Sequence, residues 1–319
     1  MKLLVITQKV DLNDSNLGFF HRWLEEFAKH CEKLTVICLE KGEYDLPQNV
    51  KVLSLGKEGG VNKLNYLWRF YKYIWQERKN YDGVFVHMNP EYCILGGIFW
   101  RLWRKKIMLW YMHKAVNLRL RLGVLFADKI FTASRESFRL SSKKVEVVGH
   151  GIPVDVFVDQ PENVPTEQLC LLAVGRNSPS KDFDTAIKAV QELNNNKNLS
   201  PIKFDIESSR KFNEMPEIYH NYHILIHTSR TGSMDKVVLE ALASGRIVIT
   251  SSEAFAGLAK DELVYAFKAG DYQELAKTIE KIYNSGIIKQ LPNQSVIEYV
   301  RKNHNLSVLI DKIMAYFSA

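Results

Sequence analysis

Apolar and polar positions alternate along the chain in two rhythms that take turns. "KLLVIT" (2–7) is a short β-rich apolar run, and "LGFFHRWLEEFAKHC" (17–31) then sets Phe20, Trp23, Leu24 and Phe27 at helical spacing. "KLTVICL" (33–39) returns to a strand, and "NKLNYLWRFYKYIWQER" (62–78) reads as a helix. Further strands are predicted at "GVFVHM" (83–88), "KIMLWYMH" (106–113), "KIFTAS" (129–134) and "KVEVVGHG" (144–151). Strand, helix and strand in repeated order imply a parallel sheet with right-handed crossovers, a Rossmann-like domain.

"GHGIPVDVF" (149–157) and the polar stretch "VDQPENVPTEQ" (158–168) interrupt this rhythm and are read as a domain junction. The alternation then restarts. Strands are predicted at 170–175, 202–207, 222–229 and 246–251, and helices at 182–196, from 235, and at 271–285. The expected domains are therefore 1–150 and 151–304. A last amphipathic segment, "NLSVLIDKIMAYF" within 305–319, has Leu306, Leu309, Ile310, Ile313 and Phe317 on one face and is expected to pack back on the first domain.

Length agrees with two domains, since 319 residues exceed the roughly 100–200 of one. Cys31, Cys38, Cys93 and Cys170 are scattered without a CxxC, which indicates neither a zinc site nor a disulfide framework and fits a reducing cytoplasm. The opening "MKLLVITQKV" is too short an apolar stretch for a signal peptide, and the uncharged run Tyr92 to Trp100 is far below the ~20 residues that cross a bilayer. Charge is uneven: 25 of the 43 Lys and Arg, but only 15 of the 36 Asp and Glu, fall in residues 1–150. No GxGxxG follows the first strand, which gives a dinucleotide-dependent enzyme little support.

Candidate chemistry concentrates at two predicted strand ends in the second half. In "VGRNSPSKDFDTAIKAV" (174–190) Arg176 leaves the carboxyl end of a strand and Lys181 follows five residues later, an arrangement that suits a diphosphate or is simply two solvated loop cations. In "TGSMDKVVLEALASG" (231–245) a small-residue loop leads into a helix near Asp235, whose free N–H groups and positive dipole end favour an anion. Glu240 lies little more than one turn inside that helix. It is either an i,i+4 partner of Lys236, in the weaker orientation worth at most ~0.5 kcal/mol, or a carboxylate that accepts hydrogen bonds from sugar hydroxyls.

With "AVGRNSPSKDFDTAIKA" and "IHTSRTGSMDKVVLEALASGRIVITS" the chain resembles the retaining, nucleotide-sugar-dependent glycosyltransferases of the GT-B fold, specifically family 4. The resemblance implies two facing Rossmann-like domains with a nucleotide-binding cleft between them, an amino-terminal acceptor domain and an abbreviated carboxy-terminal donor domain. It transfers diphosphate binding to Arg176 and Lys181, and the ribose-gripping last glutamate of an E-x7-E motif to Glu240. It also implies donor contacts at Ser229, Gly232, Ser233, Asp235, Val237 and Val238. Position 232 departs from the pattern: Gly stands where the motif's first glutamate, the residue at the donor sugar, belongs. Asp235 either substitutes for that acid or N-caps the helix, and Ser233 could serve in either role.

In the first half the resemblance puts Asn16 and Gly18, in the loop "NDSNLGFFHRW", beside the donor phosphates and the acceptor. It sets His113, at the end of "WYMHK", near the transferred sugar, where a structural histidine is the other reading. Ser134, ending the strand of "FTASRESF", is a further point of likeness. No metal is implied, no DxD-like motif is evident, and no cofactor is expected beyond a UDP- or GDP-linked sugar as donor substrate.

The basic and aromatic stretches "YLWRFYKYIW" and "IFWRLWRKKIMLW" suit an anionic membrane surface on the cytoplasmic face, where a glycan or lipid-linked acceptor would be met; core aromatics with a solvated cationic rim is the competing reading. Three functions follow. A hexosyltransferase in bacterial-type cell-surface polysaccharide synthesis comes first, and a catalytically impaired nucleotide-sugar-binding relative second. A single-stranded nucleic-acid-binding protein is the last, and it leaves Arg176, Lys181 and Glu240 unexplained.

Overall fold

The computed structural model describes residues 1–158, 164, 168–195 and 202–318. Most of the polar stretch read as a junction, 159–163 and 165–167, and residue 196 of the helix expected over 182–196 lie outside the described residues. The chain forms two compact units, residues 1–151 with 306–319, and residues 152–305.

The first unit contains β1 (Lys2–Val10), α1 (Phe20–Lys29), β2 (Lys33–Lys41), β3 (Val50–Ser54), α2 (Lys63–Gln76), β4 (Gly83–His87), α3 (Pro90–Leu102), β5 (Lys106–Trp110), α4 (Leu118–Phe126), β6 (Lys129–Thr132) and β7 (Val145–Val147). Its seven strands run in the order β3-β2-β1-β4-β5-β6-β7, every pair parallel. Period-two alternation decides which side chains go to which face. Leu4, Ile6, Val84, Val86, Ile107 and Leu109 form a core with Phe70 and Ile74 of α2, Trp100 of α3 and Leu120 of α4. On the alternate positions Phe85 meets Phe27 of α1, with ring centroids 5.0 Å apart, and Trp110 meets Trp23 at the same separation. The periodic face expected of α1 is thus the buried one: Phe20, Trp23, Leu24 and Phe27 are all in the core.

The second unit contains α5 (Val154–Val158), β8 (Leu169–Val174), α6 (Phe183–Asn195), β9 (Ile202–Glu207), α7 (Met215–His220), β10 (Ile224–His227), α8 (Lys236–Ala243), β11 (Ile247–Thr250), α9 (Ala256–Lys260), β12 (Tyr265–Ala266), α10 (Tyr272–Ser285) and α11 (Gln294–His304). Its parallel sheet has the order β12-β11-β10-β8-β9. Ala186, Ala189, Val190 and Leu193 of α6 and Leu275, Ile279 and Ile282 of α10 cover one apolar face. α8 packs with α5 and α11. Between β9 and β10 the chain forms α7 and a 3-10 turn, Phe212–Glu214, with no strand among them.

The last helix, α12 (Leu306–Ser318), belongs to the first unit. It packs with α1, and its Tyr316 ring stands 5.4 Å from Phe131 of β6. Lys106 of β5 donates to the Tyr316 carbonyl at 3.2 Å, capping the end of the helix with a cation. Two expectations need correction. β1 extends to Val10, so the first loop begins at Asp11. β5 stops at Trp110 rather than reaching His113, because after Tyr111 donates its amide to the Phe131 carbonyl the chain leaves the sheet, and Met112 donates to the Met88 sulfur instead.

Candidate functional site

β8 and β10 are adjacent and parallel, so the loops leaving Val174 and His227 emerge at one sheet edge. Ligands of open α/β sheets bind beyond this carboxyl edge. The two loops are bound to each other at four points. Thr228 Oγ1 donates to the Lys181 carbonyl at 2.6 Å, the Arg230 amide donates to the Ser180 carbonyl at 2.9 Å, and the Arg230 guanidinium grips the Asp182 carboxylate at 2.8 Å. The fourth link is an ion pair, with Lys181 Nζ 2.6 Å from Asp235 Oδ2.

Asp235 is the centre of this arrangement. It stands at the N-cap position of α8 with extended backbone, yet its side chain makes no capping bond. Its carboxylate accepts instead from Lys181, from Ser233 Oγ at 2.7 Å and from His227 Nε2 at 3.0 Å, while the other His227 nitrogen is 2.9 Å from Thr250 Oγ1. Burial alone would raise the Asp235 carboxyl; the hydrogen bond and charge of His227, then Lys181, outweigh it and hold the group well below the usual carboxylate range. The capping role considered for Asp235 is therefore corrected, because three side-chain donors compete for the oxygens that would reach the helix amides. Sequence reasoning missed His227, which reads as one more polar residue at the end of an apolar strand.

Ser229, Thr231 and Ser233 form a row of hydroxyls that leads to this carboxylate: Ser229 Oγ lies 2.9 Å from Thr231 Oγ1, which lies 2.9 Å from Ser233 Oγ. Gly232, inside this loop, is buried and has φ +60°, the left-handed region that a side chain disfavours. A glutamate at 232 is thus opposed by the backbone itself.

Glu240 is 3% exposed, so its pairing with Lys236 is not that of two solvated side chains on a helix surface. Lys236 Nζ does lie 3.7 Å from Oε1, but the shorter contact is from the Tyr219 hydroxyl to Oε2, 3.0 Å. Tyr219, on the six-residue α7, is fully buried, and that burial together with the Glu240 charge pushes its hydroxyl well above the ordinary tyrosine range. Burial lowers the Lys236 ammonium against the pull of Glu240. Val238 is wholly in the core, which leaves only its backbone to a ligand, whereas Val237 is half-buried. Arg176 is exposed and, among the described residues, makes no hydrogen bond or ion pair.

Asn16, Gly18 and His113 belong to the first unit, in the loops that follow β1 and β5. The Asp14 side chain accepts from the amides of Asn16, at 2.9 Å, and Leu17, at 2.7 Å, and the Asp14 carbonyl accepts from Gly18, at 2.9 Å. The backbone donors expected to face phosphates are therefore already engaged. Gly18 is needed for this closeness: a Cβ would stand 2.5 Å from the Asp14 carbonyl oxygen. Asp14 is tied in turn to Lys9, whose ammonium also reaches Asp11 and Glu40. His113 is exposed, and its Nδ1 accepts from the Ala115 amide at 3.0 Å. Ser134 is buried and hydrogen-bonded to Ser137 at 3.0 Å. Among the described residues no cluster of His, Cys, Asp and Glu could hold a metal ion.

Residues 153–285 match the family model described as glycosyl transferases group 1. No curated protein matches the chain in sequence. Among solved structures, HepE of Anabaena in complex with UDP and glucose is similar over 100% of both chains, with TM-score 0.73 and 16% identity. Sucrose-phosphate synthase from Thermosynechococcus elongatus is similar over 100% of this chain and 98% of its own, with TM-score 0.74 and 12% identity. WaaG, a glycosyltransferase involved in lipopolysaccharide biosynthesis, is similar over 99% of this chain and 100% of its own, with TM-score 0.72 and 14% identity. With its two parallel-sheet α/β units the chain has the GT-B fold, and residues 153–285, less than half of it, are similar to the group 1 glycosyl transferase model.

Proposed function

We propose that the protein is a retaining, metal-independent hexosyltransferase that moves a sugar from a UDP- or GDP-linked donor to an acceptor hydroxyl in bacterial-type cell-surface polysaccharide synthesis. The observation that carries the reading is the linked pair of loops at the carboxyl edge of β8 and β10. There Arg176, which has no ion pair among the described residues, and the ion-paired Lys181 precede α6, and hydroxyls and a half-buried carboxylate lead into α8. Cations and a helix N-terminus at one edge stabilise the charge that grows on a departing diphosphate. Glu240, fixed by Tyr219, is the ribose ligand in this scheme, and the loops after β1 and β5 of the first unit set Asn16 and Gly18 at the donor phosphates and acceptor and His113 at the transferred sugar. HepE, similar in fold, has been crystallised with UDP and glucose, which makes UDP the first nucleotide to try.

The acceptor in this reading is a glycan or a lipid-linked glycan met at an anionic membrane surface. Nine of the fourteen large hydrophobic side chains that are exposed among the described residues lie on α2, α3 and α4, including Leu64, Trp68, Trp75 and Leu102. Cations accompany them: Lys72 lies 4.8 Å from the Trp68 ring and Arg78 lies 4.8 Å from the Trp75 ring. Among the described residues no helix is long and apolar enough to cross a membrane, and the contact proposed here is a peripheral one carried by these exposed aromatics and cations. A catalytically impaired relative that still binds a nucleotide sugar is the second reading, favoured by Gly232 and its backbone.

Thermal shift with UDP and GDP, followed by donor turnover, tests both. One nucleotide should stabilise the protein, and Arg176→Ala and Glu240→Ala should abolish that shift. Stabilisation without turnover across donors and acceptors supports the impaired relative, and no shift with either nucleotide sinks both readings.

A further inference from the structure

The first unit has an apolar cavity of about 280 Å³ at the carboxyl ends of its central strands. Leu39 lies near the end of β2, Leu55 follows β3, and Phe70, Tyr92 and Leu95 come from α2 and α3; these form its apolar wall together with Tyr66 and Leu67. Gln8 of β1, Lys63 at the start of α2, and Asn89 and Glu91 around the start of α3 supply the polar groups. Pockets of this kind, mostly apolar with a few convergent polar groups at the carboxyl edge of a parallel sheet, are where small ligands bind.

The cavity is built in advance. Arg69 donates to the Leu55 carbonyl at 3.2 Å and Tyr73 to the Ser54 carbonyl at 3.2 Å, so the loop after β3 is tied to α2, and the rings of Phe70 and Tyr92 lie 5.3 Å apart. Neither the Tyr66 nor the Tyr92 hydroxyl is hydrogen-bonded among the described residues, although a tyrosine in apolar surroundings normally finds a partner. Desolvation pushes the Tyr92 hydroxyl up to about 12. At the mouth, Leu67 is 38% exposed and Leu64, one position beyond Lys63, is 77% exposed, so apolar surface runs from the cavity out to solvent past one cation. Glu91 pairs with Arg119 at 3.0 Å, which leaves Lys63 to set the sign of the mouth.

We infer that this cavity binds the alkyl or isoprenyl chain of an amphiphile with an anionic head, the chain lying along Leu39, Leu55, Phe70 and Leu95 and the head meeting Lys63. Resting on the transferase reading, the occupant is the lipid portion of the acceptor; the site itself stands without that reading. Chain length gives the binding its gradient, since each buried methylene adds hydrophobic free energy.

The test uses the full chain with dodecyl phosphate below its micelle concentration, against butyl phosphate and inorganic phosphate, by isothermal titration. Dodecyl phosphate should bind at least tenfold more tightly than butyl phosphate. Leu67→Glu, at a partly exposed position, should weaken it at least tenfold with an unchanged circular dichroism spectrum, and Lys63→Glu should weaken it severalfold. Leu95→Trp, which fills the cavity, should act like Leu67→Glu. Equal affinity for the two chains, or no effect of Leu67→Glu and Leu95→Trp, overturns the assignment, as does the absence of any binding. UDP stabilisation measured on the same samples separates the two proposals: its absence beside intact dodecyl phosphate binding sinks the transferase reading and leaves the cavity's ligand class standing.

Discussion

Lys181 and Asp235 are 54 residues apart in sequence and 2.6 Å apart in the fold, and their ion pair joins the two loops that carry the candidate donor site. In this pair a carboxylate balances the charge of the lysine proposed to hold a diphosphate. Binding must then share Lys181 between Asp235 and the phosphates, and Lys181→Ala is expected to weaken UDP binding at least tenfold in a titration. An unchanged affinity would remove Lys181 from the site.

Asp235 gives a pH-dependent prediction. Its folded pKa is depressed below the unfolded value of ~3.9, so its stabilisation is complete above that pH and is lost as pH falls toward the folded value. Asp235→Asn should therefore cost about 1–2 kcal/mol in urea unfolding at pH 7, less than for a fully buried pair because both side chains keep some solvent, and progressively less below pH ~4. A deficit that grew on acidification would contradict the sign.

Gly232→Glu restores the motif's first glutamate in sequence, but not in geometry. With φ at +60° the substitution is expected to destabilise the protein by about 1–2 kcal/mol without raising turnover. Equilibrium unfolding and a donor turnover assay on the same preparation check the two halves. A gain in turnover at unchanged stability would show that the loop accommodates the acid.

Tyr219→Phe removes the hydroxyl that holds the Glu240 carboxylate and leaves a buried charge with Lys236 at 3.7 Å. A loss of about 2 kcal/mol is expected, as for a hydrogen bond to a charged group. Glu240→Gln in the same background should lose little further, because the two positions share one interaction. Additive losses would show that they act separately.

The four cysteines are all buried, and desolvation pushes Cys31 up to about 11 and Cys38 up to about 12, with Cys93 and Cys170 also raised. Thiolate is the reacting form, so the native protein at pH 8 should give almost no colour with a disulfide reagent over minutes, and four equivalents once unfolded. Rapid reaction of one thiol in the native state would locate a segment that opens.

The elements with strong periodicity were legible in the sequence. Phe20, Trp23, Leu24 and Phe27 mark the buried face of α1, and the second β/α series follows the predicted order. α7 was not, because six residues offer no period to read, and with it went Tyr219. The apolar letters of "LWYMH" carried the predicted β5 past its end, since hydrophobicity does not report where a backbone amide changes partner. At the candidate site, Arg176, Lys181 and Asp235 were visible as residue types. The pairing of Lys181 with Asp235 and the contact of His227 with both Asp235 and Thr250 were not, because they depend on the register of parallel strands.

The return of α12 to the first unit makes residues 152–305 an insertion between two neighbouring points of that unit. On one side of the crossing a Cβ on Gly151 would lie 2.8 Å from the Leu306 side chain; on the other, the Ile152 amide donates to the His304 carbonyl at 2.8 Å. Each unit therefore has its two chain ends side by side. A short linker from Gly151 to Leu306 closes the first unit on itself, and residues 152–305 form a cassette that can be cut out whole or exchanged for the equivalent segment of another protein of this fold.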